Sequence, residues 1–164
     1  ISKGYSIQYI QQNHFGEVSA KNKGISKSSG RYITFLDSDD EYKTNHLESR
    51  LRILQQDSSI QLLHGGVTII GNKYVPDIHQ PGRMISLSEC VIGGTFFLRA
   101  DAMLSLDGLR QKDIGSDADL FSRAVEKEFI IKRTDIPTYI YHREREDSIT
   151  HKYVPKNDSG GNKK

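Results

Sequence analysis

Apolar positions along this chain recur at two spacings that take turns, and the alternation predicts strands and helices following one another. Tyr5, Ile7 and Tyr9 alternate with other residues, which predicts a strand over Tyr5 to Ile10. Glu17 to Ser28 predicts a helix, with an acid at its positive N-terminal end and Val18, Ala20, Gly24 and Ile25 as a thin stripe. A glycine inside a helix costs about 1 kcal/mol relative to alanine, so Gly24 predicts close packing against a neighbour or a ligand. Tyr32, Ile33, Phe35 and Leu36 then form a continuous run of strand-favouring types, the pattern of a parallel strand covered on both faces.

Downstream, Asn45 with Glu48 three residues later suggests a capped helix start, and Leu47, Leu51 and Leu54 carry the helix to about Gln56. Ile60 to Ile70 predicts one or two strands broken at Gly65-Gly66. Gly71-Asn72-Lys73 predicts a hairpin turn into Tyr74-Val75, with loop from Pro76 to Gly82. Leu87 to Ile92 leads through Gly93-Gly94 to a strand over Thr95 to Leu98, after which Asp101 can cap a short helix through Ser105. Ser116 suits the N-cap of a helix whose apolar stripe is Leu120, Phe121, Ala124 and Val125. Phe129 to Lys132 and Thr138 to Tyr141 predict two last strands.

This order is that of a single α/β domain, for which 164 residues at 35% hydrophobic and 27% charged are ordinary. No run reaches the length of a membrane span and no signal peptide is visible, which predicts a soluble, cytoplasmic protein, able to work at the inner membrane surface. Cys90 is the only cysteine, so no internal disulfide can form. The formal charge of +2 divides unevenly. Residues 152–164 hold four lysines and one aspartate, leaving the body near −1. That body offers no basic face for nucleic acid. A domain over 1–150 and a disordered basic tail over 151–164 follow.

Candidate chemistry begins where the run at 32–36 ends in Asp37, Asp39 and Asp40. Three carboxylates at a strand's carboxyl end repel one another unless a cation, a proton or a hydrogen-bond donor compensates, and oxygen donors suit Mg²⁺ or Mn²⁺ shared with a phosphate. A second acidic cluster, Asp117 and Asp119, opens the helix after Ser116, where the helix dipole favours acids on structural grounds alone. A third, basic cluster of His142, Arg143, Arg145 and His151 follows the last strand. It suits either a diphosphate or an exposed basic loop.

Asn13 to Gly16, Lys21 to Ile25, Ser29 to Ile33 and the run RYITFLDSDD resemble, in order and spacing, the Asp-x-Asp region of family 2 glycosyltransferases. Gly93-Gly94-Thr95 with Arg99, Ser116 to Leu120 with Arg123, and Tyr141-His142-Arg143 with Ser148-Ile149-Thr150 resemble the later landmarks of that family. The resemblance implies a GT-A fold, a mixed sheet flanked by helices. No counterpart of the family's first βαβ portion precedes the motif, so about one such unit is expected upstream of Ile1, and residues 1–164 alone are expected to have little activity. It further implies an inverting, metal-dependent transfer from a nucleotide-diphosphate sugar, first of all a UDP-sugar, to a carbohydrate or lipid-linked acceptor. Asp39 and His142 would hold Mn²⁺ or Mg²⁺; Asp37, Lys21, Gly94 and Arg143 would bind the donor; Asp117 would be the catalytic base. Ser116 stands where the family has glutamate, which keeps a degenerate, non-catalytic carbohydrate- or protein-binding domain in view. An EF-hand spacing at Asp37, Asp39, Glu41 and Glu48 fails on Tyr42 where glycine is needed and on the strand that precedes it. A nucleotidyltransferase would be announced by a glycine-rich, lysine-containing phosphate loop, and none is present.

Overall fold

The computed structural model describes residues 7–80 and 82–144. In order these give α1 (Glu17–Lys27), β1 (Tyr32–Thr34), β2 (Glu41–Tyr42), α2 (His46–Gln56), β3 (Leu62–His64), β4 (Val67–Gly71), β5 (Tyr74–Pro76), β6 (Met84–Ser86), β7 (Phe97–Arg99), α3 (Ala100–Ser105), α4 (Ser116–Glu126), β8 (Ile131–Arg133) and β9 (Tyr139–Arg143). One sheet has the order β1-β7-β3-β8, a second the order β2-β9-β4, and β5 pairs with β6 as a hairpin.

Alternation along β3 and β7 separates two apolar layers. Leu62 and Leu98, partners across the strands, point into a core with Val18, Ile33, Met103 and Leu120 from β1 and the helices α1, α3 and α4. Leu63 and Phe97, the next pair, point the other way, onto Leu54 of α2 and Ile60. Helices therefore cover both faces, and the mixed α/β class expected from the sequence is borne out.

Strands β3 and β8 run parallel in the first sheet, and their continuations β4 and β9 run parallel in the second. The pair changes sheets together at a sharp corner. Gly65 and Gly66 have φ of 85° and 70°, and a Cβ on Gly66 would lie 2.1 Å from the Ile136 carbonyl oxygen. Only glycine fits there. Arg50, fully buried on α2, fills the corner and donates from Nη2 to the carbonyls of Gly65 (2.6 Å) and Gly66 (3.5 Å). Beside it His46 is also buried, with Nδ1 2.9 Å from Thr138 Oγ1 and its ring stacked 3.8 Å from Tyr42.

Several local expectations are corrected. Residues 7–10 form no strand, and Tyr5 lies outside the described residues. β1 pairs antiparallel with β7, and Leu36 just past it is half exposed, so this run is not a two-face-covered parallel strand. Gly24 has nothing within 4 Å of where a Cβ would stand, so no close packing requires it. The buried face of α2 is His46, Arg50 and Leu54, while Leu47 is exposed. Glu48 does not cap α2; it pairs with Arg52 at 2.9 Å. Gly115, not Ser116, is the N-cap of α4, and Arg99, not Asp101, that of α3. The loop expected over 76–82 lies within the β5–β6 hairpin, where Asp77 accepts N–H bonds from His79 and Gln80.

Candidate active site

Where β1 ends, the chain turns through the acidic run, and each carboxylate meets a different fate. Asp37 pairs with Lys21 at 2.7 Å, and Lys21 also reaches Glu17 one turn back on α1. Burial works against charge on this lysine, but the two carboxylates outweigh it and hold the ammonium above its ordinary value. Lys21 is thus fixed against the acidic tip and does not belong to a solvated face. Asp40 is buried, accepting the Tyr139 hydroxyl at Oδ2 and the His142 N–H at Oδ1 (2.9 Å). Burial raises its carboxyl, and these two donors pull the other way. Among the described residues Asp39 alone of the three is exposed and makes no hydrogen bond or ion pair. The mutual repulsion of the run is relieved by one cation and two donors, and the remaining carboxylate is left facing solvent.

On the other side stands Asp117, in the first turn of α4. Its Oδ2 accepts the Gly93 N–H at 2.9 Å and its Oδ1 the Ala118 N–H at 2.9 Å. Burial raises this carboxyl, with the two N–H bonds and then the Lys21 charge opposing. A carboxylate so placed is held in one orientation and is a better proton acceptor than a solvated one. Asp119, two residues on, does something else. It pairs with buried Arg123 at 2.8 Å, and Arg123 donates to the carbonyls of Leu106 and Gly108, pinning the loop that precedes α4.

Both groups line a single cleft of about 640 Å³, with Lys21, Asp37, Asp39, Gly94, Asp117, His142 and Arg143 all on its wall. Every site residue expected from the sequence therefore borders one cavity. Gly94 is buried against Tyr139: a Cβ there would lie 2.1 Å from the tyrosine hydroxyl. Arg143 is 3% exposed at the end of β9, donating to the Tyr74 carbonyl at 3.3 Å and lying over the Tyr141 ring at 5.7 Å. An exposed basic loop does not describe it. Arg145, Ser148 and His151 lie outside the described residues, as does the tail over 151–164.

His142 contacts Glu41 through Nε2 at 3.1 Å and Glu144 through Nδ1 at 3.6 Å. Among the described residues no three His, Cys, Asp or Glu side chains are grouped so as to hold a metal ion. The donor set fits a hard divalent ion in one form only, with Asp39, and His142 on release from Glu41, as minority ligands and the rest supplied by a bound phosphate or water. Tyr139 and Asp40 were not legible as a pair from the sequence. The available signal was that Tyr139, Tyr141 and Arg143 share one face of a strand, at spacing two.

Comparison with known proteins gives the family and the fold. A family model described as Glycosyl transferase family 2 matches residues 1–89. An uncharacterized glycosyltransferase of Rickettsia bellii is 47% identical over 58 residues, 35% of this chain and 8% of that protein. The Escherichia coli UDP-Glc:alpha-D-GlcNAc-diphosphoundecaprenol beta-1,3-glucosyltransferase WfgD is 35% identical over 60 residues, 37% of this chain and 23% of that one. The solved structure of Staphylococcus aureus TarS 1-349 in complex with UDP-GlcNAc superposes with a TM-score of 0.67 at 15% identity, covering 91% of this chain and 45% of TarS. At that identity the likeness is one of fold. The matched stretches span less than half the length of each of these relatives.

Proposed function

The chain belongs to glycosyl transferase family 2 and has the GT-A fold, and from that premise we propose that the whole protein is an inverting, metal-dependent transferase moving a sugar from a UDP-sugar to a carbohydrate or lipid-linked acceptor. The observation that carries the reading is that Asp117 and the acidic tip border one cleft of about 640 Å³, a volume ample for a hexose. The UDP-Glc in the name of WfgD and the UDP-GlcNAc bound to TarS support the choice of nucleotide.

In this reading Asp117 takes the proton from the acceptor hydroxyl as that oxygen attacks the anomeric carbon, and the sugar–phosphate bond breaks on the opposite face. One such displacement inverts the anomeric centre. Gly93 and Ala118 hold the carboxylate to its direction, so little reorganisation accompanies attack. Asp37 and Lys21 contact the donor ribose or sugar and its phosphates. Exchange of the Lys21–Asp37 pair for a lysine–phosphate contact would free Asp37 to accept a hydroxyl. Asp39 and His142 would hold Mn²⁺ or Mg²⁺, an ion that would supply positive charge to offset that of the departing diphosphate.

The test is Asp117→Asn in the whole protein. Turnover falls by about 10²- to 10⁴-fold, the usual weight of a general base, while UDP–Mn²⁺ binding measured by calorimetry stays within about twofold. Undiminished transfer would end the assignment of Asp117. A second reading has one observation in its favour, since a carboxylate that accepts two backbone N–H bonds at a helix start can be purely structural. Donor binding without turnover in the wild type, on a panel of acceptors, would favour that carbohydrate-binding domain.

A further inference from the structure

The Gly93-Gly94 turn touches both acidic groups of the cleft, and on one side the contact runs through a side chain to which the mechanism above gives no part. Tyr139 is fully buried at the start of β9, its ring edge-on to Tyr42 at 5.7 Å and to His46 at 6.3 Å. Its hydroxyl donates to Asp40 Oδ2, and the other Asp40 oxygen accepts the His142 N–H at 2.9 Å. The same ring packs directly on Gly94, where a Cβ would stand 2.1 Å from the hydroxyl oxygen and 2.3 Å from Cζ. One residue earlier, Gly93 donates its N–H to Asp117 Oδ2 at 2.9 Å, and a Cβ there would be 2.8 Å from that of Asp117. The acidic tip, the glycine turn and the start of α4 thus form one train of contacts with a phenol at its middle.

We infer that Tyr139 is a positioning residue: held by Asp40 on one side and pressed against the Gly93-Gly94 turn on the other, its hydroxyl sets the spacing between the acidic tip and Asp117. A buried hydroxyl bonded to a buried carboxylate has little freedom, because breaking the bond strands two polar groups away from water. Glycine at 94 leaves no side chain to cushion the contact, so a shift of the ring passes directly to the turn and from there to the Asp117 carboxylate. The consequence for turnover rests on the transferase reading, since misplacing a reacting group by about 1 Å can cost 10²-fold. The geometry does not depend on that reading.

Tyr139→Phe tests it, keeping the ring and removing the hydroxyl. Amide hydrogen exchange of the protein is followed at Gly93, whose N–H bonds Asp117, and at the strand amides of β3 and β7. The expected result is exchange at Gly93 about tenfold faster or more, beyond any change shared by the strand amides. Acceleration equal at Gly93 and in the strands would mean general loosening only and would overturn the inference, as would no change at Gly93. Tyr42→Phe serves as the control: it removes a hydroxyl bonded to Thr34 and Phe35 from the same aromatic group, and should leave Gly93 protected. An equal effect from Tyr42→Phe counts against a special role for Tyr139. Should Tyr139→Phe fail to fold, Asp40→Asn loosens the same anchor at constant size, and Gly93 should again exchange faster; unaltered protection there would overturn the inference. Calorimetry with UDP and Mn²⁺ runs beside these. Absent binding by the wild type counts against the transferase reading, whereas the exchange data decide the role of Tyr139 in either event.

Discussion

Acid should destabilise this fold through His46. The imidazole is 1% exposed, stacks on Tyr42 and has Nδ1 2.9 Å from Thr138 Oγ1. Thr138 Oγ1 lies 3.4 Å from the Ile136 carbonyl, to which its hydroxyl can donate, and so accepts from His46 Nδ1–H. Nε2 is then the bare nitrogen, and it is buried with no partner among the described residues. A proton arriving there would have no acceptor. Burial first, and the nearby Arg50 guanidinium second, lower the imidazole from its ordinary 6.5 to about 4. The unfolded chain takes up this proton near pH 6.5 and the folded chain refuses it until about pH 4, so stability is full above 6.5 and declines as pH falls between the two. A gap of roughly 2.5 pH units at about 1.4 kcal/mol each amounts to about 3.5 kcal/mol in full, a sizeable part of the 5–15 kcal/mol typical of a domain. Asp40 and Asp117, whose carboxyls are raised, push the other way over the acidic end of this range, so the total curve mixes signs. The difference between wild type and His46→Asn isolates the histidine, because asparagine can still donate to Thr138 and does not titrate. Urea unfolding at several pH values from 7.5 to 4.5 should show the wild type losing about 2.5 kcal/mol more than the variant. Parallel curves, or an imidazole resonance titrating at 6.5 or above, would refute the argument.

Two further perturbations probe the corner and the glycine turn. Arg50→Met keeps the volume that fills the sheet corner but leaves the Gly65 carbonyl without its donor, while the Gly66 carbonyl keeps the Thr138 and Tyr139 amides, and should cost about 1–3 kcal/mol in urea unfolding. An unchanged midpoint would show that the buried guanidinium does not hold the corner. Gly24→Ala and Gly94→Ala should act in opposite directions. At Gly24 a methyl meets open space inside a helix, so thermal unfolding should show a gain of about 0.5–1 kcal/mol. At Gly94 it meets the Tyr139 ring, so a loss of about 1–3 kcal/mol and weaker UDP–Mn²⁺ binding are expected. Equal effects at the two sites would contradict the packing described.

What the sequence disclosed and what it withheld divide along one physical line. The acidic run, the glycine pair and the acidic start of α4 were legible because chemistry confined to a few neighbouring residues leaves its mark in residue types and spacing. The partners that decide what each group can do were not. Asp37, Asp39 and Asp40 look alike along the chain, and only Lys21 from α1 and Tyr139 from β9 make the first an ion pair and the third a buried anchor, leaving Asp39 open. On α2 the leucines at 47, 51 and 54 suggested one face, while the buried face carries His46 and Arg50, because the corner of two sheets presents carbonyls and a threonine hydroxyl where a plain core would present methyl groups. Polar residues at helical spacing resemble a solvated face until their acceptors are located. The same holds for Tyr139. In the sequence it is one aromatic residue of a strand, and its significance lies in a glycine 45 positions earlier whose missing side chain lets the two touch. The corner that Arg50 and His46 fill also fixes the start of β9, through the Thr138 and Tyr139 amides bonded to the Gly66 carbonyl at 3.0 and 3.2 Å. A buried polar corner, its His46 ring 6.3 Å from the Tyr139 ring, thereby helps to fix where the Asp40 anchor stands, so loosening the corner should loosen that anchor with it.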